Sequence, residues 1–329
     1  MTDFPQKKTG WKRREAERKW QTIFGAFITL VLILAVFNGI YKSISFGKSV
    51  GKSSWDGEAP YATYINTEPP TVAVYKPDTK KIYFVTLDNK LHFETANEAR
   101  PIESVNALNS SNETEKVLGA VSRITRTPIN NYIIYNEKIE ANKDSMEEIF
   151  KDFASISTPI KLATGGVSGL NTNMTRNDAF RLWWQIKSLS FNSLDYTNLA
   201  SFSSEIITKD GDKVLGVDAI SVHNFMSELL ENDNLYESSE SIIIDNASGI
   251  VEAGSLVNDF VTSVGAKVGN VNYSDQVVEK CSIGAKDEKS YVANYLEKLL
   301  ICDINSVPSL GEGELRIEIG SEFAAKYIF

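Results

Sequence analysis

Histidine and cysteine are scarce in this chain, two of each in 329 residues. Two cysteines cannot build a disulfide scaffold or a cysteine-rich zinc centre. His92 and His223, far apart in sequence, leave little material for histidine-based catalysis or metal binding. Positive charge is short as well: 34 Lys and Arg stand against 43 Asp and Glu, a net charge of −9, which argues against a general nucleic-acid binder. The dinucleotide fingerprint Gly-x-Gly-x-x-Gly is absent. What is present is the composition of a folded protein, 42% apolar with 13 Tyr and 16 Phe, and a length that implies about two domains. Cys281 and Cys302 lie close enough in sequence to share a domain. A disulfide between them and a pair of small buried thiols both fit.

Charge is missing altogether from one stretch. "TIFGAFITLVLILAVFNGIY", Thr22 to Tyr41, is apolar all round. At about 1.5 Å per residue it spans roughly 30 Å, the hydrocarbon thickness of a bilayer. It is too long for the apolar core of a cleaved signal peptide, and no small-x-small site follows, so it reads as a retained signal anchor. Lys7, Lys8, Lys12, Arg13, Arg14, Arg18 and Lys19 precede it, a larger positive excess than Lys42, Lys48 and Lys52 beyond it. Residues 1–21 are then a cytoplasmic basic tail, 22–41 a single membrane helix, and the rest extracytoplasmic. The expected location is the cell membrane. The Gly/Ser/Lys-rich residues 42–60 read as a flexible stalk.

Beyond the stalk, "PTVAVYKPDTKKIYFVTLD" reads as two strands around a Pro-Asp-Thr-Lys turn. Asn112–Ile124 has Val117, Leu118, Val121 and Ile124 on one helical face. "NNYIIYN" is a strand, Ser145–Phe153 a helix, and "ATGGVSGL" a loop. Thr175-x-x-Asp178 resembles a capping box ahead of the helix "AFRLWWQIKSL", whose Trp183 and Trp184 read as core or interface aromatics in preference to a sugar platform. "VDAISVHNFMSELLEN" is a further helix. The polar stretch 233–240 places a linker between a domain at 61–232 and one at 241–329. The second domain reads as strand Ser241–Asp245, helix Glu252–Val264, strand "KVGNVNY", helix Lys286–Leu300 and closing strand "ELRIEIG". Both patterns are mixed α/β.

Within "IIIDNASGIVEAGSLVNDFVTSVGAKV", Ile242 to Val268, Gly249 and Gly254 have the spacing of a phosphate-binding loop. Such a loop needs Lys after its second glycine. Ser255 and Leu256 stand there, so no nucleotide site is expected. Asn246, Gly249 and Gly254 read instead as a structural turn, with Gly249 relieving the backbone and Gly254 letting a helix approach a sheet.

The same segment resembles the C-terminal domain of LytR-type envelope proteins, through Asn246, Gly249, Ala253, Gly254, Leu256 and Gly265, and through "VPSLGEGELRIEIGSEF" near the end. The region 65–230 resembles a LytR-CpsA-Psr domain in pattern: "KPDTKKIYFVTLD", "SVNALNSSNETEKVLGAVSRITRTPINNYIIYN" and "MTRNDAFRLWWQIKS" fall in its order. The resemblance implies a domain that binds a polyprenyl-pyrophosphate glycan and transfers the glycan to peptidoglycan with Mg²⁺, using arginines and aspartates around the pyrophosphate.

Those active residues do not carry over. Asn66 and Glu68 fall where the family has its first Arg-x-Asp pair, Asn89 and Lys90 beside Asp88 where it has the later pair, and Gln185 and Lys187 near its late arginines. Arg176 and Arg181 begin the late helix and do not replace them. Without a guanidinium there is no bidentate phosphate grip. The expectation is a degenerate LytR-CpsA-Psr-like domain, non-catalytic, with Glu68, Asp88, Lys90 and Lys187 as candidate binding residues and no cofactor. Its expected partners are the membrane and peptidoglycan, a lipid-linked glycan or another envelope protein, with no nucleic acid and no nucleotide. Two alternatives stand beside it: an active divergent transferase with Mg²⁺ at Glu68 and Asp88, and a structural assembly subunit with no glycan ligand.

Overall fold

Every second residue of Thr71–Lys76 and Lys81–Thr86 is apolar on one side, and the two stretches pair antiparallel from Thr71↔Thr86 to Lys76↔Lys81. Lys80, at φ 53°, closes the turn between them. This hairpin is the middle of the largest, six-stranded sheet of a mixed α/β architecture; among the described residues there are also a five-stranded sheet, a four-stranded sheet and a two-stranded ladder. The computed structural model describes residues 55–94, 102–108, 113–159, 170–208 and 211–328. The basic tail, the membrane helix expected over 22–41 and residues 42–54 of the stalk lie outside the described residues. Among the described residues no helix is long and apolar enough to cross a membrane. The described residues all fall within one compact unit, Ser53–Phe329.

Along the chain the strands are β1 (Tyr61–Ile65), β2 (Thr67–Glu68), β3 (Thr71–Lys76), β4 (Lys81–Thr86), β5 (Leu91–Glu94), β6 (Ile102–Ser104), β7 (Asn131–Tyr135), β8 (Ile139–Glu140) and β9 (Leu170–Thr172), then β10 (Leu194–Asn198), β11 (Ser203–Ile207), β12 (Lys213–Val217), β13 (Ser241–Asn246), β14 (Lys267–Tyr273), β15 (Ser282–Ala285), β16 (Asp303–Ser306) and β17 (Glu314–Ile319). The helices are α1 (Val105–Leu108), α2 (Thr114–Thr125), α3 (Lys143–Ala154), α4 (Arg176–Ile186), α5 (Ala219–Leu230), α6 (Asp233–Tyr236), α7 (Val251–Ser263), α8 (Tyr291–Leu300) and α9 (Ser321–Tyr327).

The six-stranded sheet has the order β10-β4-β3-β1-β7-β9 and is apolar on both faces. Tyr64, Val72, Val74 and Val85 pack with α2 and α5 on one side. Tyr61, Ile65, Tyr75, Ile82 and Phe84 pack with α3 and α4 on the other. The helix starts follow capping chemistry. Asn142 accepts from Ser145 N–H at 2.9 Å ahead of α3. Thr175 Oγ1 accepts from Asp178 N–H at 3.1 Å and donates to Asp178 Oδ2 at 2.7 Å ahead of α4. α8 begins at Tyr291, five residues later than the Lys286 expected from sequence, because Ser290 is its cap while Asp287 turns the chain by accepting from Lys289 N–H.

The five-stranded sheet, β14-β13-β17-β15-β16, is parallel except at β15–β17. Cys281 and Cys302 are joined by a disulfide, with Cα atoms 4.8 Å apart. The chain does not close on β17: α9 follows, with Phe323 and Tyr327 buried. α7 packs on α5 and α9 on α2, so one apolar cluster runs from Val72 and Leu118 to Phe260 and Tyr327. Residues 233–240, read as a linker, hold α6 with Leu235 buried in that cluster.

Candidate functional site

β1 and β7 are parallel, as are β4 and β10, with β3 antiparallel between β1 and β4. The C-terminal ends of β1, β4, β7 and β10 therefore share one edge of the sheet, and the segments leaving β1 and β4 carry Asn66, Glu68 and Asp88. Each is occupied with structure. Asn66 donates to Tyr135 O at 3.0 Å and accepts from Tyr135 N–H at 2.7 Å. Its side chain thus extends the β1–β7 ladder by one rung. Glu68 is an exposed residue of β2, in register with Glu140 of β8. Asp88 accepts from Lys90 N–H at 2.9 Å and from Asn198 Nδ2 at 3.1 Å, tying the turn after β4 to the end of β10. Lys90 is exposed.

Lys187 is not with them. It caps α4 before the start of β10, with Nζ 3.1 Å from the Trp184 ring centre and 4.9 Å from that of Trp183. The structure gathers Glu68 and Asp88 at one edge and leaves Lys187 elsewhere. Among the described residues no cluster of three or more His, Cys, Asp or Glu could hold a metal ion. Asp88 is engaged with Lys90 N–H and Asn198, and Glu68 stands in register with Glu140 on a separate two-stranded ladder. Three of the arginines are held in structural contacts: Arg126 with Asp259 at 3.4 Å, Arg316 with Asp245 at 3.3 Å, and Arg181 on the Trp55 carbonyl.

The turn at 246–254 is built by one buried side chain. Asn246 Oδ1 accepts from Ser248 N–H and Oγ–H, and its Nδ2 donates to Ile250 O at 2.8 Å. Gly249 takes φ 78° there. A Cβ on Gly254 would lie 3.1 Å from Val271 Cγ1, so the helix rests directly on β14.

Between the sheet and α3 and α4 lies an apolar cavity of about 70 Å³. Tyr61, Thr63, Tyr75, Phe84, Phe150 and Leu182 are among its walls, and no charged residue lines it. Two of its wall hydroxyls, Tyr61 Oη and Thr63 Oγ1, are buried without a hydrogen-bond partner. An unmade bond of this kind costs about 1–3 kcal/mol. Burial, with the Asp178 charge adding to it, pushes the Tyr61 phenol far above its usual range. Burial and then Asp152 raise Tyr135 to about 12. These tyrosines stay neutral donors. On the opposite face, beside the end of β1, a second hollow of about 280 Å³ is lined by Tyr64, Asn66, Thr67, Thr114 and Asn136, with Lys138 as its charged residue. No arginine lines either. The cavity was not expected from sequence. Its signal is the alternation Tyr61, Thr63, Ile65, which puts two hydroxyls on the face that α3 and α4 cover.

No family model matches the chain, and no curated protein matches it. Among solved structures, TagV of Bacillus subtilis is 11% identical with a TM-score of 0.40, over 52% of this chain and 96% of that one. The Lin1025 protein from Listeria innocua is 14% identical with a TM-score of 0.37, over 52% and 98%. TagT of B. subtilis is 9% identical with a TM-score of 0.36, over 54% and 92%, and TagT has also been solved bound to LIIa-WTA. These neighbours are LytR-CpsA-Psr proteins.

Proposed function

We propose that the chain is a membrane-anchored envelope protein whose folded unit holds the apolar chain of a lipid-linked glycan without transferring the glycan. The observation that carries this reading is the cavity under α3 and α4: its walls are apolar, it has no charged residue, and it buries two hydroxyls with unmet bonds. At about 70 Å³ the cavity takes a few methylenes of such a chain, so it is a seat for one stretch of the hydrocarbon and the rest of the chain lies outside it. Transfer is a different demand. Phosphate charge in a transition state is stabilised by fixed cations, and the sheet edge offers Asn66, Glu68 and Asp88 in their place. The charge-free run at Thr22–Tyr41 supports the anchor, and the paired cysteines fit an oxidising compartment outside the cytoplasm. The sequence resemblance to LytR-CpsA-Psr domains supports the ligand class, and the resemblance of 241–329 to a LytR C-terminal domain adds a second envelope-type module.

The test uses the full chain in detergent micelles with a polyprenyl-pyrophosphate glycan and Mg²⁺. Saturable binding without release of polyprenyl pyrophosphate is expected, and Ala73→Phe, which fills the cavity from the sheet side, should weaken binding at least tenfold (about 1.4 kcal/mol). Turnover that disappears in Glu68→Ala or Asp88→Ala would overturn the non-catalytic reading. Absence of binding by the native chain would overturn the ligand. Protease added to cells stripped of their wall should degrade the bulk of the chain, and a protected C-terminal half would reverse the orientation.

A further inference from the structure

We propose that the outer face of α4, carrying Phe180, Trp184 and Lys187, docks on the phospholipid surface of the membrane in which the chain is anchored. This rests on the anchor reading given above. A core helix of a water-soluble protein buries one stripe and turns polar residues outward. α4 buries Ala179, Leu182, Trp183 and Ile186 as that rule requires, but its other side does not follow it. Phe180 is 41% exposed and Trp184 59% exposed. Four residues apart, they share one face of the helix. Lys187 lies with its ammonium over the Trp184 ring, at 3.1 Å. Ile156, 86% exposed, adds to the same region, one residue beyond the Ser155 carbonyl that accepts from Trp183 Nε1. Aromatic rings beside a long cationic side chain are the composition of the headgroup layer: rings enter the acyl boundary while the ammonium reaches phosphate.

Two further observations choose the bilayer as occupant. The first is where the chain comes from. Trp55, almost fully buried, is fastened to α4: its N–H reaches Asp178 Oδ1 at 3.2 Å, Arg181 donates to its carbonyl, and Gln185 Nε2 donates to Gly57 O at 2.7 Å. The chain arriving from its N-terminal side therefore meets α4 first. Only thirteen residues separate Tyr41, the end of the apolar run, from Trp55. Their fully extended reach is roughly 45 Å, an upper limit on the distance from the end of the apolar run to Trp55. The second is charge. In a chain of net charge −9, Arg176 and Lys187 stand in helical register with Phe180 and Trp184, the acid of the helix, Asp178, is buried, and the exposed Asp56 and Glu58 lie on the segment fastened through Gln185. That balance suits anionic phospholipid. Leu182 and Ile186, on the inner side of the same helix, line the apolar cavity. A docked α4 brings that cavity beside the source of a lipid-borne chain.

The test is spin-label accessibility of the full chain in vesicles of phosphatidylcholine and phosphatidylglycerol. The native cysteines are joined to each other, so Trp184→Cys, Phe180→Cys and, as a control on an exposed strand residue, Tyr273→Cys each offer one free thiol. Labels at 184 and 180 should be about fivefold less accessible to a water-soluble nickel chelate than the label at 273, and more accessible to oxygen, as expected for residues a few ångströms below the headgroups. Labels at 180 and 184 as open to nickel as the label at 273, in protein that resists alkaline extraction, would overturn the docking face and leave the anchor standing. Protein that alkaline washing removes from the vesicles would overturn the anchor, and the docking proposal with it.

Discussion

Phe260→Ala tests how the six-stranded and five-stranded sheets are joined. Phe260 and Tyr327 are fully buried, their rings 5.1 Å apart edge to face. They lie in the cluster that α2 and α5 share with α7 and α9. Truncating a buried phenylalanine removes transfer energy and leaves a cavity, about 3–5 kcal/mol in all. How that loss appears depends on what unfolds. Unfolding entropy near 60 °C is roughly 2.1 cal/mol/K per residue. If the unit Ser53–Phe329 (about 280 residues) melts as one, a loss of about 4 kcal/mol lowers the whole transition by roughly 7 °C. If 241–329 (about 90 residues) melts as a separate domain, the same loss lowers its own transition by roughly 20 °C and leaves the other unmoved. Scanning calorimetry on Ser53–Phe329 separates the two. The shared core leads us to expect one endotherm and the smaller shift. Two endotherms, one fixed and one displaced by the larger amount, would refute the reasoning and establish two domains that fold independently.

Replacing both Cys281 and Cys302 by Ala opens a loop with a sequence separation of 21. It should lower stability by about 3 kcal/mol in urea titration, and an unchanged midpoint would contradict a bond that restrains the unfolded chain. Burial pushes the Asp56 carboxyl up, but the N–H groups of Ala59 and Glu58 and the Tyr291 hydroxyl outweigh it and hold the group below the ordinary 3.8. A folded value below the unfolded one gives stability that is complete above the ordinary carboxylate value and lost as pH falls through the folded one. Asp56→Asn should therefore flatten the acid limb of the stability profile below 3.8, and a limb as steep as in the native chain would sink the assignment. Gly254→Leu should destabilise by about 1–3 kcal/mol, because the Cβ alone already comes within 3.1 Å of Val271 and 3.3 Å of Asn246. A neutral result in the same titration would show that α7 can lift from β14 freely.

Periodicity made the long helices legible. Val117, Leu118, Val121 and Ile124 in α2, and Met146, Ile149 and Phe150 in α3, are buried where a 3.6-residue repeat puts them. The β3–β4 hairpin was legible because its alternation flanks a Pro-Asp turn. Strands β10 to β12 were not: Leu194–Asn198 reads Leu-Asp-Tyr-Thr-Asn, and only its first residue is buried. β10 pairs with β4 and β12 with β5, far along the chain, while β11 and β12 form a local hairpin whose residues are mostly exposed or half-buried. α9 escaped because seven residues after a strand are too few to show a period, though Phe323, Ala324 and Tyr327 sit at helical spacing. The stalk was read six residues too long, since a lone Trp55 among Ser, Asp and Gly gives no local sign that α4 will bury it. Of the candidate site, residue types were readable and engagements were not. Nothing in Asn66 itself says that its amide will stand in for a strand.

Asn66 is also where the chemistry of the sheet edge is decided. Its amide supplies both a donor and an acceptor to the backbone of Tyr135, a pairing that an arginine, which only donates, cannot reproduce. A cation at this position would leave the Tyr135 N–H without that acceptor, at about 1–3 kcal/mol if buried. The same holds at the end of β4, where Asp88 is fastened by Lys90 N–H and Asn198. An edge built to hold strand ends together has committed its polar groups to the fold. Phosphate charge would meet Glu68 in register with Glu140. The hydrocarbon side of the sheet is under no such restriction. Its cavity depends on shape and on two hydroxyls, and it stays intact whatever the edge has lost. An apolar cavity beside an edge whose polar groups are already committed is the combination on which the proposal of holding a ligand without converting it rests.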